Sequence, residues 1–184
     1  MRVIAGTARG HRLRVPDKGT RPTSERVREA MFSRLDHFGV LNGARVLDLY
    51  AGSGSLGIEA LSRGALSAVF VDSARLATRV CQENLKTTGF LAVSRVHTTT
   101  VASFLRPAKK PRTFDLVFVD PPYDFDKTTE VPELLGAGWL AEGAVVMWEN
   151  PADHPPLAWA KGFSDLGVRV YGDTRLNFGE FQGV

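Results

Sequence analysis

Residues 44–64 read ARVLDLYAGSGSLGIEALSRG, and this stretch constrains the fold more than any other. ARVLDLY is a short apolar run of the kind that forms a buried strand, and SLGIEALSRG reads as a helix stopped at Gly64. Between them Gly52, Gly54 and Gly57 satisfy the G-x-G-x-x-G pattern of a turn that carries backbone close to a nucleoside cofactor. Three glycines in such a turn do not choose the cofactor. NAD and other nucleosides remain open at this point.

The rest of the chain repeats the unit. LSAVFVD is a second strand and SARLATRVCQENLKTTG a helix ended by Gly89. AVSRVHT is a third strand, VASFLR a short helix, and FDLVFVD a fourth strand apolar enough to be covered on both faces. DKTTEVPELLGAG follows as a helix with an inconvenient proline, and GAVVMWEN as a fifth strand. SDLGVRVYGDTRLNFGEFQ then reads as a hairpin through Gly172-Asp173-Thr174. Pro-rich NPADHPPLAW is a surface connection. Before the first strand, RPTSERVREAMFSRLDHF sets Val27, Met31, Leu35 and Phe38 on one stripe, with Thr23 or Ser24 as cap. The expected fold is α/β: a doubly wound, Rossmann-like sheet with a C-terminal antiparallel hairpin and a small basic N-terminal ribbon. Residues 1–20 are expected to be the extension and 21–184 the main domain.

A chain of 184 residues can bury one real core. The first twenty residues hold five basic side chains and no long apolar run, so no secretory or membrane segment is expected there. A single cysteine, Cys81, suits a reducing cytoplasm and reads as a buried structural thiol. The four histidines are scattered, and no metal site is expected. Net charge is only +3, but residues 1–30 hold eight basic against three acidic side chains. A basic arm on a near-neutral body is the footprint of a polyanion binder. VIAGTARGHRLRVP alternates apolar residues with Gly and Arg as a ribbon does, unlike a solvated tail.

In a doubly wound sheet, ligands sit beyond the carboxyl ends of the strands. That rule selects the glycine loop, Asp72, and Asp120-Pro121-Pro122-Tyr123. Asp72 suits a carboxylate gripping ribose hydroxyls, or alternatively the N-cap of the next helix. Two consecutive prolines stiffen the backbone and remove its amides, leaving carbonyls and the Asp120 carboxylate as acceptors beside an aromatic ring. A planar exocyclic amine needs such a set, with stacking worth about 1–3 kcal/mol. Acceptors on its hydrogens turn its lone pair toward an electrophile and take up the charge that develops. A strand-terminating Asp-Pro turn is the plain alternative.

DLYAGSGSLGIEALSRGA, FVDSA and FDLVFVDPPYD resemble the motifs of class I S-adenosylmethionine-dependent methyltransferases acting on amines. With IAGTARGHRL, RPTSERVREAMFSRL and YGDTRLNFGEFQ, the chain resembles the bacterial family that methylates guanine N2 in small-subunit (16S) ribosomal RNA. The resemblance implies S-adenosylmethionine held by Asp48, Tyr50, Ala51, Gly52 and Gly54, with Asp72 on the ribose and Ser73 beside the adenine. Thr23 would reach the cofactor's carboxylate end. Backbone around Val101 and Ala102 would meet the adenine edge, because TTTVAS lacks the acidic residue many relatives carry there. Asp120, Pro121 and Tyr123 would receive the flipped guanine, Asp120 also bordering the cofactor. Arg9, Arg12, Arg14, Lys18 and Arg21 would hold RNA phosphates, within an assembling 30S subunit or on free RNA, the protein acting as a cytoplasmic monomer. Competing expectations are a DNA adenine-N6 methyltransferase, a protein-glutamine methyltransferase, an NAD-dependent oxidoreductase and a non-catalytic RNA-binding protein.

Overall fold

The computed structural model describes residues 1–16, 24–106, 113–122, 130–155 and 157–183. Thr23, Lys18, Arg21 and Tyr123 lie outside them. Helix α1 (Glu25–Phe38) opens on Ser24, whose side chain accepts the Val27 amide, and closes on left-handed Gly39. Strands and helices then alternate: β1 (Arg45–Leu49), α2 (Ser55–Ser62), β2 (Ser67–Asp72), α3 (Arg75–Thr88), β3 (Ser94–Thr98) and α4 (Val101–Leu105). They continue as β4 (Phe114–Val119), α5 (Glu130–Gly136) and β5 (Leu140–Pro151), and end in β6 (Phe163–Tyr171) and β7 (Thr174–Phe181). Pro132 is third in α5, where a missing amide costs no helical hydrogen bond.

The described strands form one sheet in the order β3-β2-β1-β4-β5-β7-β6. β3, β2, β1, β4 and β5 run parallel, and β7 runs antiparallel to both β5 and β6. This is the doubly wound sheet closed by an antiparallel hairpin. Two differences from the sequence reading are local. β5 begins at Leu140, which pairs with Phe114 before a register shift, so it is longer than GAVVMWEN. The hairpin turns through Gly172 and Asp173 alone, because Tyr171 already pairs with Thr174.

Two cores cover the sheet. On one face Met31, Phe32, Leu35, Ile58, Phe70, Cys81, Leu85, Phe118, Met147 and Phe178 pack together. On the other, Leu105, Leu135 and Trp139 close over Leu47, Val117 and Trp148.

Residues 1–16 join the first face. Arg2 and Arg12 form an antiparallel bridge, and Val3, Ala8 and Leu13 are buried in that core. Glu59 of α2, fully buried, accepts the amides of Ile4 at 2.8 Å and Ala5 at 3.0 Å. Arg28 of α1, also fully buried, donates to the Arg2 carbonyl at 2.7 Å and lies 3.9 Å from Glu59. Gly6 crosses α2 so closely that a Cβ there would stand 1.8 Å from the Ser62 carbonyl oxygen. Arg9, Arg12 and Arg14 remain exposed on this docked segment.

Candidate active site

The site is built on the carboxyl ends of β1, β2, β4 and β5. At the end of β1 the chain reverses through Tyr50, the one non-glycine residue with positive φ (59°) among those described. A bulky side chain held left-handed is strained, and such strain collects where a ligand is gripped. Ala51 donates its amide to the Val71 carbonyl at 3.0 Å, and Gly54, left-handed at φ 78°, opens α2. The three glycines differ in purpose. A Cβ on Gly54 would come 2.6 Å from the Cys81 sulfur, and one on Gly57 would come 2.3 Å from the Phe70 ring. One on Gly52 would meet nothing within 4 Å, so only Gly52 leaves open space in front of the loop.

Two carboxylates fasten the loop. Asp72 accepts the Gly52 amide on Oδ2 at 2.9 Å and the Ala74 amide on Oδ1 at 2.8 Å. Ala74, not Asp72, is the N-cap of α3, and it has no side-chain capping bond. Asp72 therefore ties two strand ends together. Asp48 accepts the Gly57 amide at 2.9 Å and is almost wholly buried. Burial lifts its carboxyl to about 8; the Gly57 hydrogen bond opposes the shift and the Asp72 charge adds to it. Burial also raises the Cys81 thiol, the Asp48 and Asp72 charges reinforcing it, which fits a structural role.

Asp120 follows the last residue of β4 and precedes Pro121, half-buried, and Pro122, exposed. Its amide lies 3.5 Å from the Leu49 carbonyl, which places it beside the β1 turn. Its carboxyl is raised well above the ordinary range by burial first, then by the Glu149 and Asp48 charges. Sequence reasoning passed over Glu149, which lies within β5 one residue beyond its last parallel pair with β4. The site thus gathers Asp48, Asp72, Asp120 and Glu149, an acidic environment that suits a positively charged ligand.

Other expected residues are placed as follows. Ser73 is exposed next to Asp72. Val101 is buried in the second core, and Thr100 caps the helix it begins, its hydroxyl accepting the Ser103 amide. Ala102 is half-buried. Asn84 of α3 links the basic arm to the glycine loop: its Oδ1 accepts the Arg14 amide, and its Nδ2 donates to the Arg14 and Ser53 carbonyls, each at 2.9 Å. Arg14 also pairs with Glu83 at 2.6 Å. Among the described residues no three His, Cys, Asp or Glu side chains are placed to hold a metal ion together, and no helix is long and apolar enough to cross a membrane.

This sheet, with its glycine turn and acidic strand ends, is a Rossmann-like fold of the class I methyltransferase type. Residues 1–180 match the family model described as Conserved hypothetical protein 95, and the chain belongs to that family. It is 40% identical over 181 residues to Ribosomal RNA small subunit methyltransferase D of Escherichia coli K12, covering 93% of this chain and 89% of that one. The protein of the same name from Haemophilus influenzae is 35% identical over 158 residues, covering 84% and 81%. The solved structure of yhhF from Escherichia coli superposes with a TM-score of 0.89 at 35% identity, over 100% of this chain and 99% of that one.

Proposed function

We propose that this protein transfers the methyl group of S-adenosylmethionine to the exocyclic N2 of a guanine in small-subunit ribosomal RNA. The observation that carries the reading is Asp120, set before two prolines and beside the β1 glycine turn, among relatives named as ribosomal RNA small subunit methyltransferases.

The residues present fit the cofactor. Gly52 leaves room where a side chain would fill the cradle, and Asp48, raised by burial and further by the Asp72 charge, would gain from a cationic group. Asp48, Tyr50, Ala51, Gly52 and Gly54 would border its methionine part. Asp72 keeps lone pairs for the ribose beyond its two amides, and Ser73 and backbone at Val101 and Ala102 would border the adenine. When bound, S-adenosylmethionine supplies an electrophilic methyl on a cationic sulfur. Thr23 and Tyr123 keep their roles from the sequence, as cofactor and base contacts.

Asp120 does the chemistry expected of a hydrogen-bond acceptor. It accepts an N2 hydrogen of the extruded guanine, turns the lone pair outward, and takes the proton that the amine releases on methylation. Pulling the base from its stack costs a few kcal/mol. Arg9, Arg12, Arg14, Lys18 and Arg21 offset that cost through phosphates, which makes binding salt-dependent. Residues 1–20 would be the RNA-holding part and 21–184 the catalytic part of a cytoplasmic monomer.

The test is nucleoside analysis after incubating the protein with S-adenosylmethionine and small-subunit RNA, free or in 30S particles, and separately with duplex DNA. N2-methylguanosine is the expected product. N6-methyladenine from DNA as the sole product, or no methylated nucleoside, overturns the reading.

A further inference from the structure

An acceptor such as Asp120 serves guanine N2, adenine N6 and cytosine N4 alike. The purines differ at the next atom. Guanine carries an N1–H donor beside its amine, whereas adenine presents an N1 lone pair. A guanine reader therefore needs a second acceptor next to the first, and an adenine reader needs a donor.

The sheet register supplies that second acceptor. Val119 of β4 and Trp148 of β5 are the last parallel pair, so Asp120 and Glu149 are the residues that follow it on the two chains. Met147, two residues before Glu149, packs in the first core with Phe118, two residues before Asp120. Leu176, opposite Glu149 on β7, belongs to the same core. Glu149 is thus on the sheet face where Asp48 meets Gly57. It is only 8% exposed and ends an otherwise buried apolar run, Ala144–Trp148. Its charge acts on Asp120 more strongly than that of Asp48 does. Two carboxylates side by side repel each other, and a ligand that brings donors to both lowers that repulsion.

We propose that Glu149 is the base-reading residue of the site: it accepts the N1–H of the flipped guanine while Asp120 accepts an N2–H, and it repels the N1 lone pair of adenine. The proposal rests on the guanine-N2 reading above and adds the source of its selectivity.

The experiment uses small-subunit RNA carrying guanosine, adenosine or 2-aminopurine riboside at the position the wild-type protein methylates. 2-Aminopurine keeps the N2 amine and lacks N1–H. Methyl transfer is followed for each RNA, and 2-aminopurine fluorescence reports extrusion of the base independently of turnover. Wild-type protein is expected to prefer guanosine over 2-aminopurine by more than ~100-fold, the scale on which a hydrogen-bonding site rejects an analogue lacking its partner. Glu149→Gln, whose amide can donate to an unprotonated N1, is expected to lose guanosine turnover and shrink that preference at least tenfold. Wild-type protein that uses 2-aminopurine as readily as guanosine overturns the proposal without any variant. A Glu149→Gln enzyme with an unchanged preference, whatever its total activity, overturns it as well. If wild-type protein makes no N2-methylguanosine at all, the function reading fails and this proposal falls with it.

Discussion

The Asp48 carboxylate accepts the Gly57 amide at 2.9 Å with almost no access to water, and so a charge-bearing group sits where burial opposes charge. Its carboxyl is lifted to about 8, and a raised acid favours the folded state only while protonated. That contribution is complete below the unfolded value and is lost as pH rises through about 8. Asp48→Asn keeps an oxygen for Gly57 and removes the titration. Its melting temperature should rise relative to wild type between pH 5 and pH 8, while calorimetric affinity for S-adenosylmethionine falls at least tenfold. A constant stability difference across that range would show that Asp48 does not titrate there.

Asp120 carries the opposite balance of function and fold. Asp120→Ala should bind S-adenosylmethionine nearly as wild type does and lose turnover by ~10²–10³-fold, as removal of one preorganised polar group does elsewhere. Because Asp120 is raised above the ordinary carboxylate range, wild-type turnover should increase with pH through a limb above that range. Glu149→Gln should move the limb to lower pH, since it removes a charge that raises Asp120. Wild-type turnover without a rising limb above the ordinary carboxylate range would exclude Asp120 as the acceptor.

Tyr123 is expected to act through its ring. Tyr123→Phe should keep turnover within a few-fold, and Tyr123→Ala should weaken RNA binding by about 1–3 kcal/mol, the worth of a stacked base. Equal losses in both variants would assign the work to the hydroxyl.

Gly57 tests packing without chemistry. Its absent Cβ faces the Phe70 ring at 2.3 Å and Asp48 Oδ2 at 3.1 Å. Gly57→Ala should destabilise by about 1–3 kcal/mol through overpacking, measured by urea unfolding. Phe70→Leu in the same chain should recover part of the loss. Strict additivity of the two substitutions would mean the ring is not the obstacle.

The N-terminal segment separates two kinds of basic residue. Deleting residues 1–16 strips amides and a carbonyl from buried Glu59 and Arg28, and should cost about 3–5 kcal/mol. Arg9→Ala with Arg12→Ala, both on the exposed side, should leave the melting temperature in place and flatten the salt dependence of RNA binding. A deletion that melts like wild type would mean the segment contributes nothing to the fold.

What the sequence made legible followed local rules. Apolar runs located the parallel strands, Gly64 and Gly89 marked the ends of α2 and α3, and the strand-end rule pointed to Asp72 and Asp120, which stand at the ends of β2 and β4. Arg28 escaped because a charge next to a helical stripe reads as solvent-facing; its partner Glu59 lies a strand and a helix away. Glu149 escaped because GAVVMWEN reads as one apolar strand, and its charge bears on Asp120 only once β5 is laid beside β4. Whether Asp72 caps α3 depended on a two-residue difference in where that helix begins.

Asn84 gives these separate parts a common fate. One buried amide group holds both backbone polar atoms of Arg14 and, with its remaining hydrogen, the Ser53 carbonyl of the glycine loop. The N-terminal segment and the glycine loop therefore share a fastener. Tension on either is felt by the other, and linkage makes that traffic two-way: whatever stiffens the loop also stiffens the arm. If the segment holds RNA and the loop holds the cofactor as proposed, one side chain couples the two ligands although they share no contact.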